Sequence, residues 1–100
     1  MSTHLAQNQG AAPQKMASSP DQVLAPAVQA QILPANLNRV SAYVQNTGAN
    51  PARVGDPTTG ATSGFILGVN AAPVELATTD AIFGFSTAGT TLNATEIIRA

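Results

Sequence analysis

Arg39-Val40-Ser41-Ala42-Tyr43-Val44-Gln45-Asn46 is the stretch on which the fold turns. Val40, Ala42 and Val44 fall on one side of an extended chain, and Ser41, Tyr43 and Gln45 fall on the other. That period of two is what a half-buried β-strand requires. Thr47-Gly48-Ala49-Asn50-Pro51 follows with turn chemistry, and Arg53-Val54-Gly55 returns as a short strand. The pattern then repeats to residue 100. Residues 56–63 read as a loop of Gly, Pro, Thr and Ser, Phe65-Ile66-Leu67 as an apolar strand, and residues 70–73 as a turn. Val74 and Leu76 share a face with Glu75 between them; Asp80 closes a turn, and Ala81, Phe83 and Phe85 line the next face. A hairpin loop at 87–90 leads into a last strand from Thr91 to about Arg99. Short strands at even spacing, joined by turn signals, predict an all-β fold: a small antiparallel β-sandwich or barrel of about six strands. Its expected core is Val40, Val44, Val54, Leu67, Val74, Leu76, Phe83, Phe85 and Leu92.

Upstream the character changes. Residues 1–33 are mostly Ala, Gln, Ser, Pro and Asn, with Lys15 and Asp21 as the only formal charges. So little large apolar surface does not offset the entropy of ordering the backbone, so this stretch is not expected to fold by itself. The chain therefore divides into an extended N-terminal arm, 1–33, and a β-domain, 34–100. Pro13, Pro20, Pro26 and Pro34 punctuate the arm, each lacking a backbone donor. Ser19-Pro20-Asp21-Gln22 reads as a helix start that Pro26 cuts short. Val28, Ala30 and Ile32 alternate with Gln29 and Gln31, which predicts a strand over 27–33, available to the sheet edge of another subunit. The residues expected to bind a partner are Val28, Ala30, Ile32 and Leu33 in the arm, and Tyr43 on the polar face of the first domain strand. For Tyr43 two roles stand open, an interface anchor and a ring packed on cross-strand neighbours.

Composition narrows the function classes. Four basic and five acidic side chains give a net charge of -1, which argues against nucleic acid, whose phosphates require clustered Lys and Arg. Only 9% of residues are charged, against ~25% in an ordinary soluble domain, so much of the surface is expected to face protein. No apolar run reaches the ~20 residues that span a bilayer, and the first residues show no signal-peptide pattern, so synthesis in the cytoplasm is expected. Cysteine is absent. A domain this small buries only ~60% of its unfolded surface, and self-association into a dimer or trimer is a common remedy.

The residues that carry chemistry do not converge. His4, the only histidine, lies in the arm, and Asp56, Glu75, Asp80 and Glu96 are dispersed, with no calcium-loop spacing and no glycine-rich phosphate cradle. Ser63-Gly64 lacks the flanks of a nucleophile elbow. Asn93-Ala94-Thr95 matches a glycosylation acceptor but falls inside a strand. Asp80, behind two threonines, has a turn role, bonding nearby amides. The sequence thus points away from an enzyme, with no catalytic residue, metal or cofactor expected.

Two stretches carry a family resemblance. One is Arg39-Val40-Ser41 through Gln45-Asn46-Thr47-Gly48-Ala49-Asn50-Pro51-Ala52-Arg53-Val54-Gly55; the other is Thr78-Thr79-Asp80-Ala81-Ile82-Phe83-Gly84-Phe85-Ser86. Together they resemble small β-sandwich domains that recur in virion proteins of tailed bacteriophages, over roughly residues 38–97. The resemblance implies a structural role in a virion, without catalytic residues. A short form with an arm is similar to capsid decoration, or cement, proteins. Its implied partner is a major capsid protein or another virion protein, with no nucleic acid and no membrane. Its implied place is the virion, after synthesis in the host cytoplasm, with the arm, ~110 Å long at ~3.3 Å per residue, threaded across neighbours. A second class stays open: a receptor- or glycan-binding head, or a fibre or neck module, with loops 56–63 and 86–90 forming the site.

Overall fold

The alternating stretch at 39–46 forms a strand that pairs on both sides. The computed structural model describes residues 13–100; residues 1–12, with His4, lie outside them. In chain order the strands are β1 (Gln14–Ser18), β2 (Gln22–Leu24), β3 (Ala30–Leu33), β4 (Arg39–Asn46) and β5 (Ala52–Gly55), followed by β6 (Phe65–Leu67), β7 (Val74–Leu76), β8 (Ile82–Phe85) and β9 (Thr90–Arg99). They form two antiparallel sheets. The first runs β1-β9-β4-β7, with β2 also on β9, and the second runs β3-β8-β5-β6. The architecture is the small β-sandwich that the strand pattern predicts, and β4 through β9 are the six strands read from it. Between the sheets lie Leu24, Ile32, Leu33, Ala42, Val44, Ala52, Val54, Leu67, Leu76, Ile82, Leu92 and Ala94, with Val74 packed against them.

The boundary at residue 33 needs correcting. Where the structure describes the expected arm, it is woven into both sheets of its own chain. β1 pairs with β9 from Gln14↔Arg99 to Ser18↔Thr95, and β2 continues along the same strand from Gln22↔Leu92 to Leu24↔Thr90. Between them Ser19 N–H still donates to Ala94 O at 3.1 Å, while Pro20 has no N–H to give. The helix read at Ser19 is absent. A helix ended by Pro26 has too few residues to nucleate well, whereas the β9 edge offers hydrogen bonds and a place in the core for Leu24. β3 begins three residues later than its alternation suggests, because a turn intervenes at 25–28. Ala27 there has φ 57° and Val28 N–H donates to Ala25 O at 3.3 Å. β3 then pairs with β8 of the same chain, with a register shift between Gln31 and Leu33. That irregularity lets the successive residues Ile32 and Leu33 both reach the core.

The phase of β8 is also opposite to the expected one. Ile82 is buried, while Phe83 and Phe85 are half-buried and lie in the register of Gly55 and Arg53, on the outer side of the second sheet. Gly84 takes the inner position because no side chain fits there: a Cβ would meet Ile32 Cδ1 at 2.9 Å and Leu92 Cδ1 at 3.1 Å. Val40 is half-buried rather than core, as the extra residue of a register shift between Arg39 and Ser41. Truncation of Ile82 to alanine should thus cost about 2–3 kcal/mol, and Phe83→Ala less than half as much. Urea titrations of the two variants check this, and a larger loss at Phe83 would refute the assigned phase.

Thr59 differs from the rest of its loop. It sits in the loop between β5 and β6, yet it is buried and its hydroxyl donates to Asp56 O at 2.6 Å. It therefore plugs the loop rather than facing solvent.

Candidate functional site

Strand alternation that buries one face of each sheet leaves the other face to interact. On the outside of the first sheet, Tyr43 stands in register with Thr95 on β9 and Glu75 on β7, and Thr95 is in turn opposite Ser18 on β1. In the next row Met16 lies opposite Ile97, which lies opposite Ser41. Further along, Val23 is opposite Thr91. Met16 is 73% exposed, Val23 77% and Tyr43 40%. Three charged side chains border these rows: Glu75 on the β7 edge, Arg99 at the end of β9, and Asp21, which is held by the outward Asn93 between the rows of Val23 and Tyr43. The rows of Met16 and Tyr43 are apolar and hydroxyl-bearing up to the β7 edge, and the row between Tyr43 and Val23 carries the amides of Asn93 and Gln45.

Five residues were expected to bind a partner, and the structure separates them. Ile32 and Leu33 belong to the chain's own core, and Ala30 is half-buried opposite Gly84 on β8. The strand expected over 27–33 is therefore shorter and already pairs with β8 of its own chain, with its two largest side chains in the core; as the end strand of its sheet it is paired on one side only. Val28 remains exposed in the turn before β3, and Tyr43 remains exposed on the first sheet. The neighbours of Tyr43 that complete the face, Met16 and Val23, escaped the sequence reading. They reach it only because β1 and β2 pair with a strand about seventy to eighty residues away along the chain.

A second surface lies outside the other sheet, in a cleft of about 200 Å³. Arg53, Ile66 and Phe85 line it from the sheet, and Ala61 and Thr87 come from the two loops at 56–63 and 86–90. Arg53 Nη1 donates to Gly64 O at 3.1 Å, and Ser86 Oγ donates to Pro51 O at 2.7 Å, which fixes the approach to the cleft.

Three of the five carboxylates serve local structure. Among the described residues no group of three or more His, Cys, Asp or Glu could hold a metal ion. Asp21 Oδ1 accepts from Asn93 Nδ2 at 3.0 Å, and Glu96 Oε2 accepts from Arg39 Nε at 2.7 Å. Asp80 contributes backbone: its N–H donates to Thr78 Oγ1 at 3.1 Å and its carbonyl accepts from Arg39. Asp56 caps its own turn, with the Thr58 hydroxyl and the Thr58 N–H, at 2.9 Å, both donating to Oδ1. These bonds hold its carboxyl below the usual aspartate value of 3.8, the hydroxyl first and the amide second, against a small opposing desolvation. A depressed carboxyl supports the turn above its unfolded value and ceases to do so as pH falls through its folded value. Protection of the Thr58 amide from exchange should therefore stay constant above pH 3.8 and fall only below it. Asp56→Asn should lack that acid step, and an unchanged acid step in Asp56→Asn would refute the assignment.

No family model, no curated protein and no solved structure matches the chain.

Proposed function

We propose that this chain is a structural protein of a tailed-phage virion, a decoration or cement protein that docks on the capsid. The observation that carries the reading is the outer face of the first sheet. Met16, Val23 and Tyr43 project there from three strands, and the rows of Met16 and Tyr43 meet a charge only at the β7 edge. Exposed apolar side chains grouped in this way mark interaction surfaces, and a tyrosine among them supplies area at low entropic cost. The sequence resemblance to phage virion domains supplies the partner, a major capsid protein. The docking element in this reading is the sandwich face, since residues 14–33 are bound into the sheets. With few charges available, attachment depends on burial and only weakly on salt.

The test uses particles purified from the lysate of the phage that encodes the chain. Mass spectrometry should find the chain at a fixed ratio to the major capsid protein. Full-length protein carrying Met16→Ser, Val23→Thr and Tyr43→Ser should fold and fail to bind stripped particles. Particles lacking the chain, or bound equally by the triple variant, would overturn the reading.

The cleft at Phe85 favours a second reading, a receptor- or glycan-binding head. The two loops expected to form such a site do meet there, over one aromatic ring and one arginine. Saccharide binding abolished by Phe85→Ala, with the triple variant binding normally, would select it.

A further inference from the structure

We propose that the opening between β6 and β7 is a docking groove for an extended apolar segment bearing Lys or Arg, supplied by a partner protein. This concerns one edge of the sandwich and stands whether or not the chain belongs to a virion. β6 is the last strand of its sheet and β7 the last of the other, so each is paired on one side only. Between them lies a cleft of about 310 Å³ with Leu76, Ile82 and Phe65 among its apolar lining. It adjoins a hollow of about 380 Å³ that shares Phe65 and Asp56 and extends to Thr58 and Gly64. The result is a groove that opens at Phe65 on β6 and at Glu75 and Leu76 on β7, two strands each paired on one side only, where an extended peptide can add by main-chain hydrogen bonds.

Charge selects the occupant. Asp56, Glu75 and Asp80 line this cleft, three of the five carboxylates in the chain, and no Lys or Arg lines it. Among the described residues no donor hydrogen-bonds the carboxylate of Glu75 or Asp80, so both are available to a partner. An added strand presents alternate side chains to opposite sides. One set would lie on Phe65, Ala77 and Ala81, above the buried Leu76 and Ile82, and the other would carry ammonium or guanidinium groups toward the acidic rim. A polyanion or an acidic peptide would meet only repulsion there.

The experiment titrates the full-length, isotope-labelled chain with acetyl-Lys-Val-Lys-Val-Lys-Val-Lys-amide and follows backbone amides by NMR. Shifts should concentrate at 55–56, 64–67 and 74–82. The Glu-Val and Lys-Ser analogues, which reverse the charge or remove the apolar face, should leave those amides unmoved. Glu75→Gln with Asp80→Asn, both exposed positions, should keep the fold and weaken binding by roughly fivefold to tenfold, two surface ion pairs' worth. Equal shifts with the Glu-Val or Lys-Ser peptide, or unchanged binding by the double variant, would overturn the proposal. So would concentration-dependent shifts at the same amides without peptide, because the occupant would then be a second copy of this chain.

Discussion

Arg39→Met is expected to lower the unfolding free energy by about 3–5 kcal/mol, the usual loss when one partner of a buried ion pair is removed. Arg39 is among the largest fully buried side chains of the described structure. Its Nε donates to Glu96 at 2.7 Å, Nη1 to Asp80 O at 2.8 Å and Thr78 O at 3.2 Å, and Nη2 to Pro34 O at 2.5 Å. The guanidinium thus joins the start of β4 to β9, to the 78–80 turn before β8 and to the segment after β3. Methionine fills the volume but leaves a carboxylate and three carbonyls without their donor. Lysine is expected to recover little, since three donors on a flexible stem do not reproduce the planar fork. Arg53→Ala, at a partly exposed arginine with one bond to Gly64 O, is the control and should cost under about 1 kcal/mol. Denaturant titrations with equal midpoints for the Arg39 and Arg53 variants would refute the role given to Arg39.

Asn46→Leu should cost about 3–4 kcal/mol, by summing buried groups left unpaired at ~1–3 kcal/mol each with partial recovery from water. Asn46 is buried at the far end of β4. Its Nδ2 donates to Asn50 O at 2.7 Å and, across the sandwich, to Leu67 O at 3.1 Å. Its Oδ1 accepts from Gly48 N–H at 3.0 Å and from Thr90 Oγ1 at 2.8 Å. One amide therefore shapes the turn after β4 and ties β4 to β6 in the opposite sheet. Asn46→Asp is the discriminating variant. It keeps both accepted bonds but sets a carboxylate oxygen against two carbonyls, so at neutral pH it should be at least as damaging as leucine. An Asn46→Asp protein as stable as the wild type would show that the cross-sheet donation contributes nothing.

Neither residue stood out along the chain, and the reason is the same for both. Arg39 reads as the polar first residue of a strand, on the side away from Val44. The register shift at Val40 turns it to the inner side, and a shift of that kind is set by pairing with β9, not by local pattern. Asn46 reads as a strand end before a turn, which is correct, but its partner Leu67 lies 21 residues away.

The candidate surfaces were legible in part. Tyr43 reads as outward because Ser41 and Gln45, two residues to either side, share its face while the buried Ala42 and Val44 adjoin it, and the structure exposes it. Val28 reads as one member of a strand over 27–33; in the structure it lies in the turn before β3 and is exposed. Loops 56–63 and 86–90 do converge, although no pattern in either contains that information.

What the sequence determined by itself is the class of fold. In β4, β5 and β7 polar and apolar residues alternate with enough contrast to set both strand and inner face, and Gly, Pro and Asn mark the turns. Where contrast vanishes, as in Ala81-Ile82-Phe83-Gly84-Phe85, two phases are equally apolar, and size favoured the wrong one. Only packing decided it, because Ile32 and Leu92 occupy the space over Gly84. The same holds for residues 14–33. Their composition measures what the segment can bury alone, which is little. The tertiary structure instead offers them the open edges of β8 and β9 and a place in the core for Leu24, Ile32 and Leu33. Strand addition to an existing edge needs few apolar side chains, because main-chain hydrogen bonds and a ready-made core supply the rest.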